Sequence, residues 1–164
     1  MNFKGVIIEE SLSDTSVLND VEILSTKVEP VTDEHKTPWI KQWTLHDVEV
    51  SEERAVEVAE KISGALNHEH DWYADYKTNT EHYIIYSGKI FHITDRSSKK
   101  QYDEAKKYGI SIGIPAYQVN FSLETQIEIA KQLPKTKMLD FRPLEALLDE
   151  VMRMLNVMLS KASA

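Results

Sequence analysis

Short apolar runs, bounded by polar and turn-forming residues, organise the first part of the chain. The β-branched run Phe3–Ile8 predicts a strand, and residues 9–20 are polar and turn-like. Residues 21–28 can form a second strand. Residues 30–38 carry Pro30, Pro38 and a polar stretch between them, which predicts a loop ending at Trp39. Residues 43–50 again have strand character, but the apolar phase switches: Trp43 and Leu45 point one way, Val48 and Val50 the other. A bulge at His46 and Asp47 would reconcile the two halves. Ser51 then offers an N-cap, and Glu52 and Glu53 suit the positive end of a helix dipole. Ala55, Val58, Ala59, Ile62 and Leu66 form one apolar stripe, with Gly64 and Asn67 marking its end.

Residues 72–77, His82–Tyr86 and residues 89–94 are aromatic and β-branched, and Ser87-Gly88 is a good two-residue turn. The expected arrangement is a three-stranded meander with Ile84 opposite Phe91, Tyr86 opposite Lys89 and Asp75 opposite Ile84. One face then holds Tyr73, Asp75, Lys77, His82, Ile84, Tyr86, Phe91 and Ile93. The other holds Trp72, Ala74, Tyr76, Tyr83, Ile85, Ile90 and His92, the better face for packing the helix that begins at Ser51. Both faces are more apolar than a one-sided sheet requires, so the second needs cover from another part of the chain, a partner subunit or a ligand.

Ser98 and Gln101 fit a capping box, Tyr102, Ala105 and Tyr108 define a short helix, and Gly109 sits where a C-terminal glycine cap belongs. Residues 110–115 alternate and stop at a proline, and residues 117–121 read as a last short strand. This order is compatible with a ferredoxin-like sandwich. Helical stretches follow at residues 122–133 and from Pro143 onward, joined by a linker at residues 134–137. The final helix has an apolar seam of Leu144, Leu148, Val151, Leu155 and Met158, too short for a stable free coiled coil. The expected fold is therefore α+β: an antiparallel sheet in residues 1–122 with helices on one face, and a helical C-terminal tail in residues 123–164.

Composition narrows the setting. The 164 residues suffice for one domain with an appended element and a real core. With no cysteine, disulfides, thiolate nucleophiles and cysteine-based metal sites are excluded, which suits the cytoplasm. The first apolar run is too short for a signal peptide or a membrane span. A net charge of -8 repels a phosphate backbone and argues against nucleic-acid binding. The cations Arg96, Lys99, Lys100, Lys106 and Lys107 are interrupted by Asp95, Asp103 and Glu104, and read as a solvated helix face. None of the five glycines lies in a phosphate-cradling pattern, and no cofactor is expected.

The leading candidate site gathers Trp39, Trp43, His46, Trp72, Tyr73, Asp75 and His82 on or beside the sheet. Aromatic walls with a few oriented donors and acceptors are what a pocket for a small polar molecule needs. The plainer reading is an aromatic core whose polar tips are satisfied at its edge. Asp75 and His82 lie at diagonal positions on one face, where a carboxylate can orient an imidazole, but no nucleophile motif accompanies them and a surface hydrogen bond is the expected outcome. His68-Glu69-His70 sets two imidazoles in a polar loop, which His35 or His92 would have to join to hold a metal. A solvated turn is the expected outcome, and no metal site is assigned. The methionine-rich C-terminal helix is a second candidate, for a protein partner or a sister subunit, with docking onto the sheet of its own chain as the plain alternative.

The stretches from Lys4 to Leu12, from His35 to His46, and from Trp72 to Lys77 together with His82–Tyr86 resemble small prokaryotic proteins of unassigned function. The likeness covers roughly the first 120 residues. It implies no activity, so no residue role comes with it. The leading functional expectation is a non-enzymatic, homo-oligomeric interaction module that buries its surplus apolar surface between subunits. The alternative is a small-molecule-binding protein or enzyme using the aromatic, histidine and aspartate set.

Overall fold

The computed structural model describes residues 1–121. The strands are β1 (Phe3–Ile8), β2 (Glu22–Pro30), β3 (Gln42–Val50), β4 (Tyr73–Lys77), β5 (His82–Tyr86) and β6 (Lys89–Ile93), with helices α1 (Ala55–Ala65) and α2 (Lys99–Ser111). They form one antiparallel sheet in the order β2-β3-β1-β4-β5-β6, which places β1 at its centre and β2 and β6 at its edges. This α+β architecture matches expectation. Its strand order is not the four-stranded order of a ferredoxin-like sandwich, because β1 enters between β3 and β4. The expected helical stretches beyond residue 122 lie outside the described residues.

The central strands are fixed by side-chain size as well as by alternation. Gly5 of β1 pairs with Tyr76 on one side and Val48 on the other, and a Cβ there would lie 1.9 Å from the carbonyl oxygen of Asp75. Only glycine lets β4 approach this closely. The meander registers are as the sequence predicts: Asp75 opposite Ile84, Ile84 opposite Phe91 and Tyr86 opposite Lys89. The bulge, however, is not in β3, whose ladder with β1 runs unbroken from Val50 to Leu45; the irregularity falls in β2, between Ile23 and Ser25. His46 explains the misreading. It occupies the buried phase of Val48 and Val50, so the core face is continuous but one of its positions is polar.

Each face of β5 has its own cover, so the helices do not share one face. Tyr76, Tyr83 and Ile85 join Ala55, Val58, Ala59 and Ile62 of α1 in the larger core, where the Tyr76 hydroxyl donates to the carbonyl of Ala55. Ile84 and Tyr86 join Tyr102 and Ala105 of α2 together with Ile114, Val119 and Phe121. There the Tyr86 hydroxyl donates to the Ala105 carbonyl at 2.9 Å. The surplus apolar surface of β4 to β6 is thus covered by another part of the same chain.

The segment after β6 departs from its sequence reading for the same reason. Gly109 does not end α2: it is buried in the helix, where a Cβ would lie 2.7 Å from both the Tyr86 hydroxyl and Val119. The glycine with left-handed φ, +108°, is Gly113. Residues 110–115 continue the helix and turn, and residues 117–121 form no strand. Val119 and Phe121 are buried as plugs of the second core. Neither expected cap makes its side-chain bond: Ser51 and Ser98 have none, and Gln101 instead accepts from the Thr94 backbone N–H at 2.9 Å.

Candidate functional site

Strand alternation divides the seven predicted site residues among three places. Trp72 belongs to the core beneath α1, whereas its neighbour Tyr73 faces Tyr86 and Phe121, with its hydroxyl donating to the Gln118 carbonyl at 2.9 Å. A single pocket lined by all seven is therefore ruled out by the sheet that separates them.

Trp39, Trp43 and Trp72 do meet, at the end of the sheet where β3 and β4 begin. Trp72 makes edge contacts with Trp39 and Trp43 at ring separations of 6.4 and 6.2 Å. Trp39 stacks on His70 at 3.9 Å with 12° between the ring planes, and Trp43 stands edge-on to His35 at 4.4 Å. The Trp43 indole N–H donates to the Thr37 hydroxyl at 3.0 Å. The Trp72 indole N–H is buried and has no hydrogen-bond partner among the described residues. Leaving such a donor unmatched costs about 1–3 kcal/mol.

His46 is held apart. Its Nε2 donates to the Glu9 carboxylate at 2.8 Å and its Nδ1 lies 2.9 Å from the Thr26 hydroxyl. Beside it, Glu10 accepts from both the backbone N–H and the hydroxyl of Thr44. The 3₁₀ turn Glu9–Ser11 that follows β1 thus clamps β3 with two successive carboxylates.

Asp75, His82 and Tyr102 form the third group. His82 Nε2 lies 2.9 Å from Asp75 Oδ2, and Nδ1 lies 3.2 Å from the Tyr102 hydroxyl. All three residues are buried. Burial pushes the His82 pKa down, and Lys77 and Arg96 push the same way; Asp75 opposes them. The imidazole is then neutral near pH 7, with Nε2–H donating to Asp75 and Nδ1 accepting from Tyr102. Burial likewise raises the Tyr76 and Tyr86 phenols far out of the physiological range. The pairing of Asp75 with His82 is what the sequence predicts, but it is buried and not the surface hydrogen bond expected, because α2 covers this face with Tyr102, which reads from sequence as a core position of that helix.

The remaining histidines disperse. His68 bonds the Ser87 hydroxyl while His70 stacks on Trp39, so the His68-Glu69-His70 triplet does not act together. His92 pairs with Glu81 at 2.6 Å and stacks on Tyr83. Among the described residues no group of three histidines or carboxylates is placed to hold a metal ion. Of the expected solvated basic face, Lys99, Lys100 and Lys107 are exposed, whereas Arg96 is buried and donates to the Thr78 carbonyl, and Lys106 donates to Asn120. A shallow cleft of about 260 Å³ lies elsewhere, beside the start of α1, lined by Asn2, Asp20, Glu49 and Arg54, which are paired with each other or with neighbours.

Sequence reasoning missed Thr37, and it weighed His35 and His70 only as possible metal ligands, not as neighbours of the tryptophans. Their signal was present: His35 and Thr37 alternate with Trp39, and His70 sits two positions before Trp72.

No protein-family model, curated protein or solved structure matches this chain. No helix among the described residues is long and apolar enough to cross a membrane.

Proposed function

We propose that this protein is a non-enzymatic interaction module of the cytoplasm that self-associates through the outer edge of β2. The observation that carries the reading is the exposure of that strand. β2 spans nine residues, has a single strand neighbour among the described residues, and leaves Ile23, Leu24 and Val28 at 43%, 47% and 56% exposure. A free edge offers unpaired N–H and C=O groups to another strand. Two usual protections are weak here. The Lys27 charge is countered by its ion pair with Glu29, and the bulge at Ile23 and Ser25 leaves the ladder from Ser25 to Pro30 regular.

The strand is also complementary to itself. Antiparallel pairing about a two-fold axis at Val28 sets that valine against its own copy and places Lys27 opposite Glu29 of the second copy, twice over. The enzymatic reading has less support, because the carboxylate–imidazole pair His82–Asp75 is closed to substrate, at 1% and 5% exposure.

Native mass spectrometry and sedimentation velocity on the full chain test the proposal. The wild type should form a dimer, Lys27→Glu should weaken it, and the double variant Lys27→Glu, Glu29→Lys should restore it. A monomer at all concentrations, or a dimer indifferent to these changes, overturns the reading.

A further inference from the structure

The tryptophan corner holds donors without acceptors. Trp72 Nε1–H is buried and unmatched among the described residues, in a side chain only 6% exposed. The Thr37 hydroxyl accepts from Trp43 and keeps its own proton to give. His35 Nδ1 accepts from the Thr32 backbone N–H at 2.9 Å, and a backbone N–H can only donate, so the neutral ring carries its proton on Nε2. Three donors therefore sit among aromatic rings. Glu9 and Glu10 are engaged with β3 and Asp75 with His82, so none of these three carboxylates serves as acceptor here.

Trp39 forms the outer wall. It is 47% exposed, lies in a turn closed by the Ile40 N–H donating to the Thr37 carbonyl at 3.2 Å, and takes no part in the sheet ladder. Its ring is held by a stack on His70 and an edge contact with Trp72, both of which a planar guest can replace ring for ring. Exposed Lys36 and Lys41 flank this turn and place two positive charges beside it.

We propose that Trp39, Trp43, Trp72, His35, His70 and Thr37 form a binding site for a small planar molecule bearing hydrogen-bond acceptors, an aromatic carboxylate above all. Trp39 swings outward to admit it, and Trp72 Nε1–H supplies the hydrogen bond that selects it. A site built to donate discriminates strongly against a ligand that cannot accept. This site adjoins β2, whose Glu29 pairs with Trp43, but its test reads benzoate binding and not oligomeric state, so each proposal can fail alone.

The test uses full-length ¹⁵N-labelled protein, whose three tryptophans give three indole N–H resonances, with Trp72 assigned by its loss in Trp72→Phe. Benzoate is titrated, with benzylamine as a control of the same ring lacking the acceptor. Benzoate should shift the Trp72 resonance saturably and bind about tenfold more tightly than benzylamine. Trp72→Phe should keep its circular dichroism spectrum and lose the benzoate-dependent change in tryptophan fluorescence. A Trp72 resonance unmoved by benzoate, or moved equally by both probes, overturns the proposal.

Discussion

The His82 imidazole donates from Nε2 to the Asp75 carboxylate across 2.9 Å, on a sheet face sealed by α2. Its other nitrogen accepts from Tyr102 in the neutral ring, so a second proton there would force that bond to reverse. Asp75, Lys77, Arg96 and Tyr102 are the ionisable groups around it, and the net effect of burial and charge is a pKa below the ordinary 6.5. The unfolded chain therefore takes up this proton first as pH falls. Stability from this group is fully present above pH 6.5 and is lost as pH drops through the lower folded-state value. Urea denaturation between pH 5 and 7.5 should show this slope, and His82→Gln should flatten it while costing about 1–3 kcal/mol at pH 7. An unchanged slope in the variant would assign the pH dependence to other groups.

Much of this arrangement was legible in the chain. The turn Ser87-Gly88 and the alternation in β5 fix the registers that bring Asp75 and His82 together, because a two-residue hairpin leaves no freedom to slip. The cover over His82 was not legible. Residues 110–115 alternate and residues 117–121 read as a short strand, yet Ile114, Val119 and Phe121 fill gaps beside α2, a choice set by the shape of the second core. His46 misled in the opposite sense, since a polar residue in a buried phase looks like a break in the pattern. Nor does local sequence reveal that Trp72 and Trp43 meet while His46, on the same strand as Trp43, turns to Glu9.

Gly5 and Gly64 should respond in opposite directions to alanine. A Cβ on Gly5 collides with the β4 backbone, which cannot yield without parting the central ladder, so Gly5→Ala should cost about 2–4 kcal/mol. Gly64 lies on the exposed side of α1 with nothing within 4 Å of a Cβ, so Gly64→Ala should gain about 0.5–1 kcal/mol. Thermal melts separate the two, at about 2–4 °C per kcal/mol for a chain of this size.

Gly109 tests the packing of α2 in the same manner. Its Cβ would press on the Tyr86 hydroxyl, whose bond to Ala105 ties β5 to the helix. Gly109→Ala should destabilise by about 1–3 kcal/mol. Tyr86→Phe removes the crowding oxygen together with its hydrogen bond, at about 0.5–1.5 kcal/mol. The double variant should cost less than the sum of the two, as a thermodynamic cycle from urea melts would show. Strict additivity would mean that the two residues do not press on each other.

The attachment of β2 rests partly on one hydroxyl. The Glu9 carboxylate can only accept, so it draws the His46 proton to Nε2, and in the neutral ring Nδ1 is left to accept from Thr26 at 2.9 Å. Thr26 pairs directly with His46 in the ladder, so this bond crosses from the edge strand to a residue only 6% exposed. Thr26→Val keeps the branched shape and removes the donor, leaving a buried nitrogen unmatched at a cost of about 1–3 kcal/mol. Thr26→Ser keeps the hydroxyl and should cost well under that. Hydrogen exchange makes the result specific: protection should fall in β2 and the start of β3 in the valine variant, while β5 keeps its own. A uniform loss across the sheet would mean instead that the hydroxyl supports the whole fold and not the attachment of its edge.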